Sequence, residues 1–282
     1  MNSLKIKVAI IGVGLLGGSL ALALKRKKKY KLIGWNHRAA SRKKASKLLP
    51  VARTFDEAVE GADIVLLCTH SRNIAPVLKK LSGSIKPDTL ILDVSSVKGE
   101  VVKESRSIPG IQRHFVPCHP MAGKEKSGPA FADAHLYQGR FVFVSPLPKT
   151  PSRLLQRTLR FWKGTGAVPV ILDAQSHDRN VALTSHLPHL LSSALTTLYG
   201  KSLHQNPALR KAVGSGFRDF TRIAAGNPAM WSDILELNSV EIKKFLSQYR
   251  KALGVLEKNL KKGRAHFWLS YFEKARTIRE KL

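Results

Sequence analysis

The chain has 282 residues, 43% hydrophobic and 24% charged, which is typical of a soluble globular protein with room for two domains. Its formal net charge is +29, but the basic residues are scattered and accompany no nucleic-acid-binding motif, so we do not expect a nucleic-acid partner. No apolar run approaches the ~20 residues that span a bilayer, and two cysteines are too few for a disulfide framework or a four-cysteine zinc site.

The first predicted element is a short β-branched strand over residues 5–11. The N-terminus leads straight into this strand and lacks the apolar region and the cleavage site of a signal peptide, so we expect a cytoplasmic protein. A helix follows from the glycine-rich segment after this strand to about Leu24. Further strands are predicted at 31–35, 63–68, 89–93, 115–118, 140–144 and 168–172, and further helices at 54–60 and 74–81. Continuously apolar strands that alternate with helices indicate a parallel sheet covered on both faces.

The spacing of the apolar residues changes after residue 172. From 174 to 282 apolar residues recur at helical spacing and strand-like runs are few. We therefore expect an α/β Rossmann-type dinucleotide-binding domain over residues 1–172, followed by an all-α helical domain over residues 173–282. Helices this apolar in a small domain often bury a face against a second subunit, which predicts a homodimer through the helical domain.

A glycine motif lies between the first strand and the first helix. Gly12, Gly14 and Gly17 have the spacing of the dinucleotide-binding fingerprint, in the strand–helix context that it requires. The first glycine allows the tight turn, the second lets the backbone approach a pyrophosphate, and the third lets helix pack on strand. The pyrophosphate would then lie at the helix N-terminus, beside Leu15 and Leu16.

The residues after the second strand bear on the choice between NAD and NADP. An acid usually binds the ribose 2′-hydroxyl of NAD at this place, but the chain has Asn36, followed by His37 and Arg38. No carboxylate would repel a 2′-phosphate, and Arg38 can pair with one, with Arg42 and Lys43 as reinforcement. This favours NADP. NAD stays open, because Asn36 can also hydrogen-bond a 2′-hydroxyl.

The segment GSGFRDFTRIA (214–224) places Arg218, Asp219 and Arg222 on a predicted helix. Arg218 and Arg222 are four residues apart and share a helical face. Guanidinium groups match carboxylates in bidentate geometry, so a small carboxylate substrate is indicated. The alternative is an ordinary surface ion pair between Asp219 and Arg222.

Further segments are DVSSVKG (93–99), HPMAGKEKSG (119–128), and HD (177–178) with SHLPH (185–189). With the glycine and arginine segments, and in this order, they resemble the prephenate/arogenate dehydrogenase family of tyrosine biosynthesis over nearly the whole chain. The resemblance implies oxidative decarboxylation of a cyclohexadienol with NAD(P)⁺. Hydride leaves the ring carbon that bears the 4-hydroxyl, this hydroxyl loses its proton, and the ring carboxylate departs as CO₂. We expect prephenate, giving 4-hydroxyphenylpyruvate, as the substrate; arogenate, giving tyrosine, is the alternative.

The resemblance also implies roles for particular residues. His119 matches the family's catalytic histidine and would accept the hydroxyl proton. Ser96 matches a serine that hydrogen-bonds the same hydroxyl, close to the cofactor. Arg222 matches the carboxylate-binding arginine, while Glu125 and His189 match groups at the side-chain end of the substrate. Together these residues argue against a distant alternative, a non-catalytic dinucleotide- or nucleic-acid-binding protein.

Four further side chains complete the expected site. Thr69 and Lys98 follow strands and are expected at the cofactor, as is His70. Trp231 would form a wall of the pocket, although a core aromatic residue would have the same pattern. His186 and His189 are three residues apart, as in a metal pair, but no third ligand has suitable spacing, so we expect no metal.

Overall fold

The computed structural model describes residues 5–282, so the first four residues, on which the cytoplasmic prediction partly rests, lie outside it. The strands are β1 (Ile6–Ile11), β2 (Tyr30–Trp35), β3 (Ile64–Leu67), β4 (Leu90–Asp93), β5 (Phe115–Val116), β6 (Cys118–Pro120), β7 (Phe141–Val144) and β8 (Val168–Ile171). The helices are α1 (Leu15–Lys25), α2 (Ala39–Ala45), α3 (Phe55–Val59), α4 (Ile74–Leu81), α5 (Gly99–Arg106), α6 (Ser152–Gly164), α7 (Ala174–Val181), α8 (Leu187–Gln205), α9 (Ser215–Thr221), α10 (Pro228–Leu237), α11 (Ser239–Asn259) and α12 (Ala265–Arg279). Within these described residues no helix has the length and apolarity to cross a membrane.

Strands β1 to β5 form a parallel sheet in the order β2-β1-β3-β4-β5. Both faces are covered. Val8 and Ile10 of β1 belong to one apolar cluster, while Ala9 and Ile11 belong to a second cluster on the opposite face. The chain order reverses between β1 and β3, which is where open α/β sheets bind ligands beyond the carboxyl ends of their strands. The predicted cofactor residues follow the carboxyl ends of β1 to β4.

The three strands predicted last do not simply extend this sheet. Phe115–Val116 joins it as β5, but β6 pairs antiparallel with β7, which pairs in parallel with β8. The expectation of one parallel sheet was therefore wrong for β6 to β8. Pro117, between β5 and β6, has no N–H for a ladder, and the N–H of Cys118 donates to the Asp93 carboxylate at 2.7 Å. The break carries β6, with His119, into a separate three-stranded sheet.

Beyond β8 the described chain is helical, which confirms the predicted class of a Rossmann-type fold followed by a helical part. Helix α7 begins after Asp173, whose Oδ1 accepts the N–H of Ser176 at 2.9 Å as an N-cap. A π-helical turn, Ala182–His186, connects α7 to α8. Such turns widen a helix locally and recur at functional sites.

The arginine segment is not one continuous helix. Helix α9 ends at Thr221, and Arg222 begins a 3₁₀ turn through Ala225. Arg218 and Arg222 therefore do not share the regular helical face that their spacing predicts. Gly226, directly after this 3₁₀ turn, lies against the indole of Trp231, since a Cβ at Gly226 would be 2.4 Å from Trp231 Nε1.

Candidate active site

The glycine loop has the geometry that a dinucleotide requires. Gly12 has a φ of +99°, and a Cβ there would lie 2.5 Å from the carbonyl oxygen of Cys68. A Cβ at Gly17 would lie 2.3 Å from the carbonyl oxygen of Gly12, so α1 packs closely on the loop. At Gly14, which precedes α1, a Cβ would have no neighbour within 4 Å. The backbone is thus open where a pyrophosphate would approach the helix N-terminus, and the residues fit the cofactor.

The residues after β2 brace the glycine loop. The N–H of Val13 donates to Asn36 Oδ1 at 2.7 Å. The Arg42 guanidinium donates to the carbonyl oxygens of Asn36 at 2.9 Å and His37 at 2.8 Å. Arg42 is therefore engaged within the loop, which corrects the expectation that it reinforces a 2′-phosphate site. Arg38 is exposed, and its side chain forms no hydrogen bond or ion pair with another described residue.

Lys98 is placed differently from the expectation. Its side chain is 0% exposed, and its Nζ donates to Asp93 Oδ2 at 2.5 Å and to Ser95 Oγ at 2.8 Å. Because this ammonium neutralises a buried carboxylate at the end of β4, it does not reach out to a cofactor. Ser95 is likewise buried and donates to Asp93. Ser96 is the partly exposed residue of this turn, while the backbone N–H of Thr69 lies beside Gly12.

His119 is buried on β6 and belongs to a chain of hydrogen bonds. Its Nδ1 lies 2.8 Å from Nε2 of His177, and Nδ1 of His177 lies 2.7 Å from Oδ1 of Asp178. Asp178 also accepts the backbone N–H groups of Lys98 at 2.8 Å and Gly99 at 2.7 Å, and so caps α5. The sequence alone suggested no role for His177 or Asp178; the one signal was an adjacent His-Asp pair just after the last strand.

Burial sets the charge of this histidine pair. Desolvation lowers the pKa of His119 well below its usual 6.5, and the nearby His177 and Lys98 lower it further. Desolvation also lowers the pKa of His177, although the neighbouring Asp178 carboxylate works in the opposite direction. Both imidazoles are therefore neutral near pH 7, and His119 can accept a proton.

A second histidine group surrounds Trp231. The His189 ring stacks on the indole with ring centroids 3.5 Å apart and an 8° interplanar angle. His189 is buried, and its Nδ1 has no hydrogen-bond partner among the described residues. The amide nitrogen of Asn238 lies 3.0 Å from Nδ1 of His186 and donates to the carbonyl oxygen of Asp178 at 2.8 Å. Asn238 thus connects this group to the His119 chain. Within residues 5–282 no cluster of three or more His, Cys, Asp and Glu has a metal-binding arrangement.

Arg222 forms an ion pair with Glu125, in the loop after β6, and both side chains are exposed. The alternative pair between Asp219 and Arg222 does not form in the described structure. His70, which was expected at the cofactor, has a partner in the helical part. Its Nδ1 lies 3.6 Å from Asp233 of α10, and Arg72 pairs with the same carboxylate at 2.7 Å. The loop after β3 is therefore held by α10.

The open glycine loop and the neutral, buried histidine are features of a dinucleotide-dependent oxidoreductase. A family model described as the prephenate dehydrogenase nucleotide-binding domain matches residues 20–171, and one described as the prephenate dehydrogenase dimerization domain matches residues 173–274. The chain belongs to the prephenate dehydrogenase family, as its sequence motifs predicted, and its cofactor is a nicotinamide dinucleotide.

Individual relatives agree with this assignment. The chain is 31% identical to prephenate dehydrogenase of Bacillus subtilis, over 100% of this chain and 77% of that protein. It is 32% identical to cyclohexadienyl dehydrogenase of Zymomonas mobilis, over 96% and 94% of the two chains. The solved structure of prephenate dehydrogenase from A. aeolicus with hydroxyphenyl propionate and NAD⁺ superposes with a TM-score of 0.89, at 31% identity, and covers 100% of this chain and 99% of that chain.

Proposed function

We propose that this protein catalyses the oxidative decarboxylation of prephenate to 4-hydroxyphenylpyruvate. The observation that carries the proposal is the buried, neutral imidazole of His119, in a chain of the prephenate dehydrogenase family. When bound, a nicotinamide dinucleotide would supply the hydride acceptor for the ring carbon that bears the 4-hydroxyl. His119 takes the hydroxyl proton, and Ser96 holds this hydroxyl in place. Loss of the ring carboxylate as CO₂ then leaves an aromatic ring.

The other residues of the proposed site bind and orient the substrate. Arg222 binds a substrate carboxylate through the guanidinium N–H groups that its ion pair with Glu125 leaves available. Trp231 forms a wall of the pocket, since its indole packs against the ring of His189. The unpartnered Nδ1 of His189 supplies a hydrogen bond to the substrate side chain.

The same residues favour prephenate over arogenate. The pyruvyl side chain of prephenate offers keto and carboxylate oxygens, to which an imidazole N–H of His189 can donate. The ammonium of arogenate needs an acceptor instead, and the carboxylate that could supply one, Glu125, is paired with Arg222. The net charge of +29 also favours prephenate, a dianion, over the less negative arogenate.

For the cofactor we propose NADP⁺ in preference to NAD⁺. Asn36 replaces the carboxylate that would repel a 2′-phosphate, and the exposed Arg38 is free to pair with that phosphate. Lys43 is exposed nearby, whereas Arg42 is engaged with backbone carbonyls.

Residues 1–172 would then hold the cofactor, and residues 173–282 would complete the substrate site and form a homodimer. Helix α12 supports a dimer through the helical part, because it has no buried residue and exposes Leu269 (64%) and Phe272 (61%). A cytoplasmic location stays a prediction.

The test is a comparison of kcat/KM for prephenate and arogenate, each with NAD⁺ and NADP⁺. We expect prephenate with NADP⁺ to be the best pair. An arogenate preference of tenfold or more, about 1.4 kcal/mol of transition-state discrimination, would overturn the substrate assignment. Absence of turnover with both substrates and both cofactors would overturn the proposed function.

A variant tests the role of His119. His119→Asn keeps a polar side chain of similar reach but has no group that accepts a proton at neutral pH. We expect kcat to fall by ~10²–10⁴, the usual range for a positioned base, while substrate still binds. A nearly normal kcat would place the base elsewhere, with His189 the next residue to test.

A further inference from the structure

The hydrogen-bond chain behind His119 connects both halves of the protein. His119 lies on β6, whereas His177 and Asp178 lie on α7 at the start of the helical part. Asp178 in turn receives the backbone N–H groups at the start of α5, from Lys98 and Gly99. The chain therefore runs from β6 through α7 to α5, with every donor–acceptor distance between 2.7 and 2.8 Å.

The direction of each hydrogen bond follows from the chemistry of its end group. Both oxygens of Asp178 accept backbone N–H groups, so this carboxylate is an acceptor. The facing Nδ1 of His177 must therefore carry a hydrogen and donate it. In a neutral imidazole the other nitrogen then has the lone pair, so Nε2 of His177 accepts. His119 consequently donates from its own Nδ1, and its Nε2 keeps a free lone pair.

We propose that His177 and Asp178 are positioning residues that fix the Nδ1–H tautomer of His119 and so present its Nε2 as the proton acceptor. The consequence for catalysis rests on the proposed function, whereas the tautomer itself rests on the hydrogen-bond geometry and on the burial of both imidazoles. In the reaction the proton of the substrate hydroxyl moves to Nε2 of His119, and it returns to the same oxygen once loss of CO₂ leaves that oxygen as a phenolate. Nδ1–H keeps its bond to His177 throughout, so the ring does not have to turn.

The surroundings hold the pair in this arrangement. The ring of Phe143 meets that of His177 edge to face, with centroids 5.5 Å apart, and restricts its rotation. The buried ammonium of Lys98 bonds to Asp93 and Ser95 and forms no hydrogen bond with either imidazole. Because Asp178 accepts backbone N–H groups of α5, the tautomer of His119 depends on correct docking of α7 against the nucleotide-binding part.

The direct test is ¹⁵N NMR of the imidazole nitrogens in protein labelled with ¹⁵N-histidine, without substrate. We expect His119 to show a protonated Nδ1 and an unprotonated Nε2, with the signals assigned through their loss in His119→Gln. In His177→Phe the partner of Nδ1 is gone, and we expect His119 to change toward the Nε2–H tautomer. Nε2–H in the unaltered protein, or an unchanged tautomer in folded His177→Phe, would overturn the proposal.

Kinetics give an independent test. His177→Phe should lower kcat by ~10²-fold with little change in KM, because the base is present in the wrong tautomer. His177→Gln should recover most of this loss, since its amide N–H can donate to Asp178 while its oxygen accepts from His119. His114→Phe is the matched control, because it removes a partly buried, hydrogen-bonded imidazole away from the site. Equal losses in the Phe and Gln variants at position 177 would indicate a merely structural role and overturn the proposal.

The two measurements separate this proposal from the proposed function. If the protein oxidises no cyclohexadienyl substrate, the NMR result still decides whether His177 sets the tautomer. If it does oxidise prephenate but His119 has Nε2–H, the positioning role fails and the proposed function stands.

Discussion

Substitution by alanine should affect two glycines of the cofactor loop differently: at Gly12 it should lower stability, and at Gly14 it should weaken cofactor binding. In Gly12→Ala, a φ of +99° costs a residue with a side chain about 1–3 kcal/mol. The new Cβ would also lie 2.5 Å from the oxygen and 2.8 Å from the carbon of the Cys68 carbonyl. Relief of this overlap costs about 1–3 kcal/mol more, because the backbone N–H of Cys68 donates a hydrogen bond to the carbonyl oxygen of Ile11 at 2.7 Å and holds Cys68 in place. The total, about 2–6 kcal/mol, is a large part of the 5–15 kcal/mol that stabilises an ordinary domain.

Gly14→Ala should instead leave the stability of the fold nearly unchanged and weaken binding of the cofactor. Its φ is −102°, and its Cβ would meet no atom within 4 Å. The loss of a glycine N-cap costs at most about 1 kcal/mol. The methyl group would, however, occupy the space into which a pyrophosphate must come, and we expect Kd for the cofactor to rise at least tenfold, about 1.4 kcal/mol.

Urea unfolding without ligand and calorimetric titration with NADP⁺ and NAD⁺ separate these effects. Gly12→Ala should lower the free energy of unfolding, whereas Gly14→Ala should mainly raise Kd. Normal cofactor binding in Gly14→Ala would refute the placement of the pyrophosphate. Equal destabilisation in the two variants would show that neither the positive φ of Gly12 nor its contact with the Cys68 carbonyl restricts the residue at position 12.

Three further predictions concern charge. Burial lowers the pKa of His186 from 6.5 to about 4 in the folded state, so between these pH values only the unfolded chain takes up this proton. The free energy of unfolding should therefore fall by about 2 kcal/mol from pH 7 to pH 5. In His186→Gln it should fall less steeply. Arg222→Ala should raise KM for prephenate by ~10–100-fold with a smaller change in kcat, while the exposed Arg218→Ala changes neither; equal effects would show a general loss of positive charge. Asn36→Asp with Arg38→Ala should turn the ratio of kcat/KM toward NAD⁺ by tenfold or more, and an NAD⁺ preference in the unaltered protein would contradict the NADP⁺ proposal.

The sequence by itself determined the features that depend on residues close together along the chain. The glycine spacing of the cofactor loop, the apolar runs of the parallel strands and the helical periodicity after residue 172 all encode local geometry. These patterns identified the fold class correctly, and the resemblance carried by segments such as HPMAGKEKSG (119–128) and GSGFRDFTRIA (214–224) identified the family. The same patterns also predicted a strand directly before His119, but the structure places His119 itself on β6, in the separate three-stranded sheet.

Only the tertiary structure decided which partner each polar side chain takes. Lys98 follows β4 as expected, yet its ammonium is fully buried and pairs with the carboxylate of Asp93. Arg222 pairs with Glu125, 97 residues away, rather than with Asp219 on its own segment. His177 reaches His119 across 58 residues. The last two pairings depend on how the helical part docks on the sheets, and for the buried His177 and His119 the loss of water makes a hydrogen-bond partner necessary. Periodicity within one segment carries no record of that docking.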